Sequence, residues 1–349
     1  MTNIKKIPFI FAILSFLTFF TSANSEIKVV TSIKPIHSLA SYLMEGVGRP
    51  SLIVDGYASP HGFAMKPSHA KMLQEADIIF WVGEGLENFL EKPLKTVAKN
   101  AEKIELIEIK DLNKLKFRER NIFDDHDHDE HGHDDHGKKE DDHDHDDHGK
   151  KEDDHDHDHD DHGKKDDDHD DHGHDDHDGH AHGEFDPHIW LDPVNAKVIL
   201  KEMAEHLIEN DEKNSAIYKK NLAKALKDID ALIKNTKSEL SKSVASIVFH
   251  DAYQYFEERF NVNILGAFTV NTDVMPGAEQ LAEVREIIEH EKVACVFSEP
   301  QFNPDIIKAV AKDMDIKTGV VDPLGATLNP GKDLYFKLIQ NMSTSFKNC

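Results

Sequence analysis

Histidine is the residue through which this chain can do metal chemistry. It occurs 25 times in 349 residues, and 18 of the 25 fall between positions 124 and 184. They are His126, His128, His131, His133, His136, His143, His145, His148, His155, His157, His159, His162, His169, His172, His174, His177, His180 and His182. The rest of the tract is almost wholly Asp, Glu, Lys and Gly, and its unit DHGKKEDD recurs near positions 135, 147 and 161. Neutral imidazole and carboxylate are donors that borderline divalent metals favour. The tract has almost nothing apolar and no hydrophobic period, so it cannot offset the entropy of ordering and is expected to be disordered. No geometry then selects which atoms meet which ion, and the expected chemistry is weak, exchangeable binding of several ions. A merely solvating acidic spacer would have no use for imidazole. A selective site must come from histidines that a fold holds still.

Seven histidines lie outside the tract: His37, His61, His69, His188, His206, His250 and His290. A lone histidine in a fold is most often structural or superficial. Three stand in suggestive places. His61 follows a strand-like run in SLIVDGYASPHGF, and His188 lies in FDPHIWLDP, just after the tract. His250 ends SIVFH, where the carbonyl ends of parallel strands open. His206 lies within one helical pattern and His290 ends another, so surface positions are expected for both. His37 and His69 lie in helix-like segments and are not expected to be ligands.

The elements that would position these groups alternate in type. The runs 27–32, 51–56, 76–83, 246–250, 262–268, 293–300 and 316–323 read as strands. Helix-like segments lie between them, including 67–76, 87–100, DAYQYFEERF, AEQLAEVREIIEH and PDIIKAVAKDM. Asp192-Pro193 and Asn303-Pro304 are helix starts, each a capping residue followed by Pro. Ala196, Ile199, Leu200, Met203, Leu207 and Ile208 then share one helical face. Tyr218, Leu222, Ala225, Leu226, Ile229, Leu232 and Ile233 share another. The expected fold class is α/β with two lobes, each a mainly parallel sheet flanked by helices, joined by a long rigid helix. The boundaries are 24–212 for the first lobe, with the tract at 124–184 as an insert, 213–241 for the connecting helix and 242–349 for the second lobe. The crevice between lobes is the default ligand position.

The formal charge of −26 is local: 29 Asp and Glu against 6 Lys between Asp124 and Glu184 carry −23 of it. The remainder is near neutral, so the acidity is that of one insert, and no nucleic-acid partner is expected. Lys5 and Lys6, an apolar run from Ile7 to Phe20 and the small residues Thr21-Ser22-Ala23 have the form of a secretory signal, residues 1–23, cleaved on export. No Cys follows the apolar run, so a lipid anchor there is excluded and the periplasm is the expected compartment. Cys295 and Cys349 are an even pair in an oxidising compartment and hence a disulfide candidate, two unpaired thiols being the alternative.

Six further stretches are TSIKPIHSLA, SPHGFAMKPSHAKMLQEADIIFWVGEGLE, DPHIWLDPVNA, FHDAYQYFEERF, FSEPQFNP and VVDPLGA. Together they resemble the zinc-specific periplasmic binding proteins of ZnuA type that feed ABC transporters, over nearly the whole mature chain. The His- and acid-rich loop before DPHIWLDP and the placing of the Cys pair are similar to that family too. The resemblance implies two α/β lobes joined by a long helix, with one Zn(II) in the cleft between them. It puts ligands at His61 and His188 from the first lobe and His250 from the second. Asp322 matches the position that supplies an Asp in manganese-binding relatives and is the candidate fourth ligand, with water as the alternative. The implied partners are zinc and an inner-membrane ABC permease with its ATPase, the chain acting as a monomer.

The donor chemistry agrees. Three neutral imidazoles at about 2.0–2.1 Å with one oxygen donor make a tetrahedral zinc site. Manganese prefers more carboxylate, and its carriers in this resemblance have a carboxylate where this chain has His250. Each ligating imidazole should donate its other N–H to a carbonyl or carboxylate, and Asp251 and Glu299 are candidates for that role, with no assignment to a particular ring. The other readings are a manganese or iron carrier on the same scaffold, a periplasmic metal buffer whose tract is the function, and a zinc hydrolase. Three histidines with an open fourth position also suit catalysis, but no HExxH or similar acid–base motif accompanies them, and no enzyme is expected.

Overall fold

The computed structural model describes residues 26–118, 120–122, 183–242, 244–270, 272, 276–312 and 314–349. The expected leader, 1–23, and the tract histidines from His126 to His182 lie outside the described residues. The first half runs β1 (Val29–Thr31), α1 (Lys34–Leu43), β2 (Ser51–Leu52), α2 (Pro67–Glu75), β3 (Ile78–Trp81), α3 (Glu84–Thr96) and β4 (Glu102–Glu105). Two long helices follow, α4 (Pro193–Asn210) and α5 (Ser215–Glu239). The second half runs β5 (Ser246–His250), α6 (Gln254–Phe260), β6 (Ile264–Thr269), α7 (Ala278–His290), β7 (Cys295–Ser298), α8 (Asp305–Ala311), β8 (Lys317–Val320) and α9 (Leu334–Lys347).

Among the described residues the strands form two four-stranded sheets, ordered β2-β1-β3-β4 and β6-β5-β7-β8, with every pairing parallel. The two orders are the same. Each sheet begins on an inner strand, extends to one side and then returns to the other, so the strand order reverses between β1 and β3 and between β5 and β7. Crevices at such reversals, beyond the carbonyl ends of the strands, are where α/β sheets hold ligands. β1, β3 and β5 are buried along their whole length, as expected of parallel strands covered on both faces. β4 escaped the sequence pattern because it is an edge strand, EKIE, in which Ile104 alone is buried.

Asp192 starts α4 by accepting the Val194 N–H at 2.8 Å, with Pro193 in the first turn. The Asn303 side chain likewise accepts the Asp305 N–H at 3.0 Å, at the start of α8. The stripe Ala196, Ile199, Leu200, Met203 and Leu207 of α4 is buried, as are Tyr218, Ala225, Ile229 and Leu232 of α5. α5 packs on α1, α4 and α9, so the last helix of the chain lies on elements from its first half. Polar contacts stitch the same halves together. The Trp190 indole N–H donates to the Pro323 carbonyl at 2.8 Å, and the Tyr335 hydroxyl donates to the Trp190 carbonyl at 2.8 Å. Lys34, which is buried, donates to the Ala326 carbonyl at 2.9 Å. Cys295 and Cys349 form a disulfide. Among the described residues no helix is long and apolar enough to cross a membrane.

At the crevice of the first sheet a carboxylate takes the place a ligand would fill. Glu87 is fully buried, and its Oε2 accepts the N–H groups of Val82 and Gly83, both at 2.9 Å. Burial pushes its carboxyl up to about 7. A folded-state value above the unfolded one means that the group favours the fold fully below about pH 4.5 and that this contribution is lost as pH rises towards about 7. Glu87→Gln keeps an oxygen for both N–H groups and removes the titration. The variant is therefore expected to gain stability over the parent as pH rises from 5 to 8, by on the order of 3 kcal/mol. Parallel denaturant titrations across that range check this, and a difference that does not change with pH would refute it.

Candidate metal centre

The crevice of the second sheet carries the chemistry. His250 is the last residue of β5, and Glu299 immediately follows β7, so the neighbouring strands set the two side by side. The His250 Nδ1–H donates to Glu299 Oε1 at 2.6 Å, which leaves the Nε2 lone pair facing the crevice. His188 stands just before a 3-10 turn, Ile189–Leu191. Asp186 Oδ1 accepts its backbone N–H at 2.9 Å and its ring Nδ1–H at 2.7 Å, a local turn of the kind Asp favours. His61 lies in the loop after β2, its N–H donating to Ser59 Oγ at 3.3 Å.

These three histidines meet. The Nε2 atoms of His188 and His250 are 3.4 Å apart. Two nitrogens bound tetrahedrally to one ion at 2.0–2.1 Å stand about 3.3–3.4 Å apart. One donor atom from each of His61, His188 and His250 lies within 4.8 Å of the others. The space they enclose is a cavity of about 10 Å³, also lined by Pro60, Trp190, Phe302, Pro323 and Leu324. That is room for one water-sized particle and suits an ion far better than an organic ligand.

Burial lowers His188 well below its usual value, so this imidazole is neutral and ready to donate a lone pair. Burial also lowers His250, but the charge and hydrogen bond of Glu299, with Asp251 and Asp186 behind, outweigh it and the net shift is upward. Burial pushes the Asp186 carboxyl up to about 7, against the pull of the His188 backbone N–H. An imidazole ligates a metal only through an unprotonated nitrogen, so a cation at this crevice would compete with protons.

Asp322 stands near this group but outside it. Its Oδ1 accepts from Gln301 Nε2 at 3.0 Å and from the N–H groups of Leu324 at 3.1 Å and Gly325 at 2.9 Å, while Oδ2 is buried without a hydrogen-bond partner. Of the two groups considered for orienting an imidazole, Glu299 touches a ring and Asp251 turns to Arg118, whose Nη1 donates to its Oδ1 at 3.2 Å. Asp186 was missed by sequence reasoning. The signal was local: an Asp two residues before a His, across a Pro, is placed to close on it. His37 bonds the Pro50 carbonyl at 3.2 Å, and His69 accepts the Lys66 N–H at 3.1 Å at the start of α2, so both are structural. His290 is exposed. His206 is half-buried against Glu102, off the open surface expected for it.

A family model described as ZnuA, the periplasmic component A of a zinc-uptake complex, matches residues 29–349. The high-affinity zinc uptake system protein ZnuA of Brucella abortus is 43% identical over 329 residues, which span 94% of this chain and 92% of that one. Its counterpart in Yersinia pestis is 35% identical over 92% of this chain and 90% of its own. Among solved structures, a zinc-bound ZnuA deletion mutant matches with a TM-score of 0.67 at 20% identity, over 93% of this chain and 98% of that one. The periplasmic zinc binding protein TroA from Treponema pallidum matches with a TM-score of 0.69 at 15% identity, over 93% and 99%. The structural likenesses speak for the two-lobed fold, and the match over nearly the full length, with relatives above 40% identity, means that the chain belongs to the ZnuA family.

Proposed function

We propose that this chain is a periplasmic solute-binding protein that captures Zn(II) with high affinity between its two sheets and delivers it to an ABC permease and its ATPase. The observation that carries the reading is the convergence of three imidazoles from distant segments on a cavity sized for one ion, two of them backed by carboxylates. The Brucella abortus and Yersinia pestis relatives are named for high-affinity zinc uptake. His61, His188 and His250 are the proposed ligands, with Asp322, through Oδ2, or a water as the fourth donor. A donor set of three imidazoles favours zinc over manganese. The family binds metal for transport and is not enzymatic. The lobes are proposed to run over 24–212 and 242–349 with 213–241 between them, residues 1–23 to be removed on export, and one chain to suffice for the site.

The tract is proposed as a low-affinity collector or sensor that raises zinc near the cleft. Calorimetric titration of the full chain is expected to show one tight zinc and several weak ones, and removal of residues 124–184 to leave the tight one alone. Loss of the tight site with the tract would overturn the reading and favour a metal buffer. Carboxylates that orient a ligating imidazole typically matter by 10–100-fold in affinity. Glu299→Ala is therefore expected to weaken zinc binding by about that factor, measured by competition with a chromophoric chelator, and an unchanged affinity would show that β5 alone orients His250.

A further inference from the structure

A second set of donors converges far from the cleft, where the last turns of α4 meet the first residue of β4. We propose that Glu102, His206 and Glu209 form a separate site for a borderline divalent cation. One donor atom from each lies within 4.8 Å of the others. His206 and Glu209 are three residues apart on α4 and so share a face, while Glu102 comes from the sheet. Glu102 Oε1 stands 2.8 Å from His206 Nδ1. Nδ1 is nevertheless buried with no aligned hydrogen bond. Donors on one ion with bonds of 2.0–2.2 Å are about 2.8–3.6 Å apart, so this spacing suits two neighbours on a shared cation.

Two further contacts aim the donors. Asn210 Nδ2 donates to the other oxygen of Glu102, Oε2, at 2.7 Å, which turns Oε1 towards the ring. Glu202 Oε1 lies 3.4 Å from His206 Nε2. A carboxylate on that side favours a proton on Nε2 and leaves the Nδ1 lone pair for a metal, a longer contact than the hydrogen bonds of Asp186 to His188 and Glu299 to His250 but of the same sense. No Lys or Arg among the described residues pairs with Glu102, Glu202 or Glu209, so three carboxylates surround one imidazole without a compensating cation. One imidazole with two carboxylates, half-exposed, makes a weaker and less selective site than three buried imidazoles, open to Zn(II) and similar ions.

The test uses the full-length protein, with Zn(II) alone as the added metal. Histidines are carbethoxylated with diethylpyrocarbonate and the rate at each is read by mass spectrometry. The His206 side chain is 21% exposed, which admits the reagent. Zn(II) is expected to slow modification of His206, Glu209→Gln to raise the zinc concentration required by at least about tenfold, and His250→Ala to leave the protection in place. His290, exposed and remote, gives the unprotected rate. Equal reaction of His206 with and without zinc, or equal protection in Glu209→Gln, would overturn the proposal. His188 and His250 are read in the same digest, so the cleft reading and this one fail separately.

Discussion

Replacing His250 by Ala is expected to weaken zinc binding by more than about 100-fold. Removing a group that merely orients a ligating imidazole already costs about 10–100-fold, and Ala at 250 removes both the donor and the reason for Glu299 to face the crevice. It also leaves Glu299 Oε1 buried without its N–H partner, at a cost of about 1–3 kcal/mol in stability. Affinity must therefore be compared in protein shown to be folded by circular dichroism. The tract can mask the loss by holding zinc weakly, so the measurement is competition against a chelator strong enough to strip the weak sites. His250→Asp is the informative companion. It restores an anionic oxygen donor at the same strand end, and it should shift the preference from zinc towards manganese. Full affinity in both variants would exclude His250 as a ligand.

Loss of the Cys295–Cys349 bridge is expected to destabilise the chain by about 4 kcal/mol in the loop-entropy model, for a sequence separation of 54. The bridge joins the start of β7 to the last residue of the chain. Between them α9 packs on α1 and α5, burying Leu338, Ile339 and Met342, while its last turn lies on β7, with the rings of Phe346 and Phe297 4.9 Å apart. Freeing Cys349 therefore loosens a helix that closes the core of the other half, while Lys317, which donates to the Cys349 carbonyl at 2.7 Å, loses its fixed acceptor. Denaturant midpoints for Cys295→Ser/Cys349→Ser, with the reduced parent as a control, measure the effect. Equal midpoints for the variant and the oxidised parent would show that α9 holds the terminus unaided. Any metal that binds the native state stabilises it by mass action, so metal-free protein is the proper sample.

Much of this was legible beforehand, for identifiable reasons. β5 is SIVFH in both readings because a strand buried on both faces is a continuous apolar run. α4 and α5 announced themselves by their apolar stripes and, for α4, by its cap and Pro. β4 did not, because an edge strand needs only one buried residue. Asp186 did not stand out either, because an aspartate in a tract-flanking loop has no period to betray it.

Composition and pattern by themselves determined that the dense histidines could not build a selective site, that the remaining chain is α/β, and that a few isolated histidines stood at loop or strand ends. Those are properties of neighbours along the chain. Packing alone decided the rest. Residues 61, 188 and 250 are brought within 4.8 Å of one another only because parallel sheets end their strands at shared crevices and α5 and α9 fold the two halves face to face. The pairing of Glu299 with His250 and the meeting of Glu102 with His206 are likewise contacts between strands and helices far apart in sequence. Local spacing carries no information about them, because their distances are set by the register and stacking of the sheets.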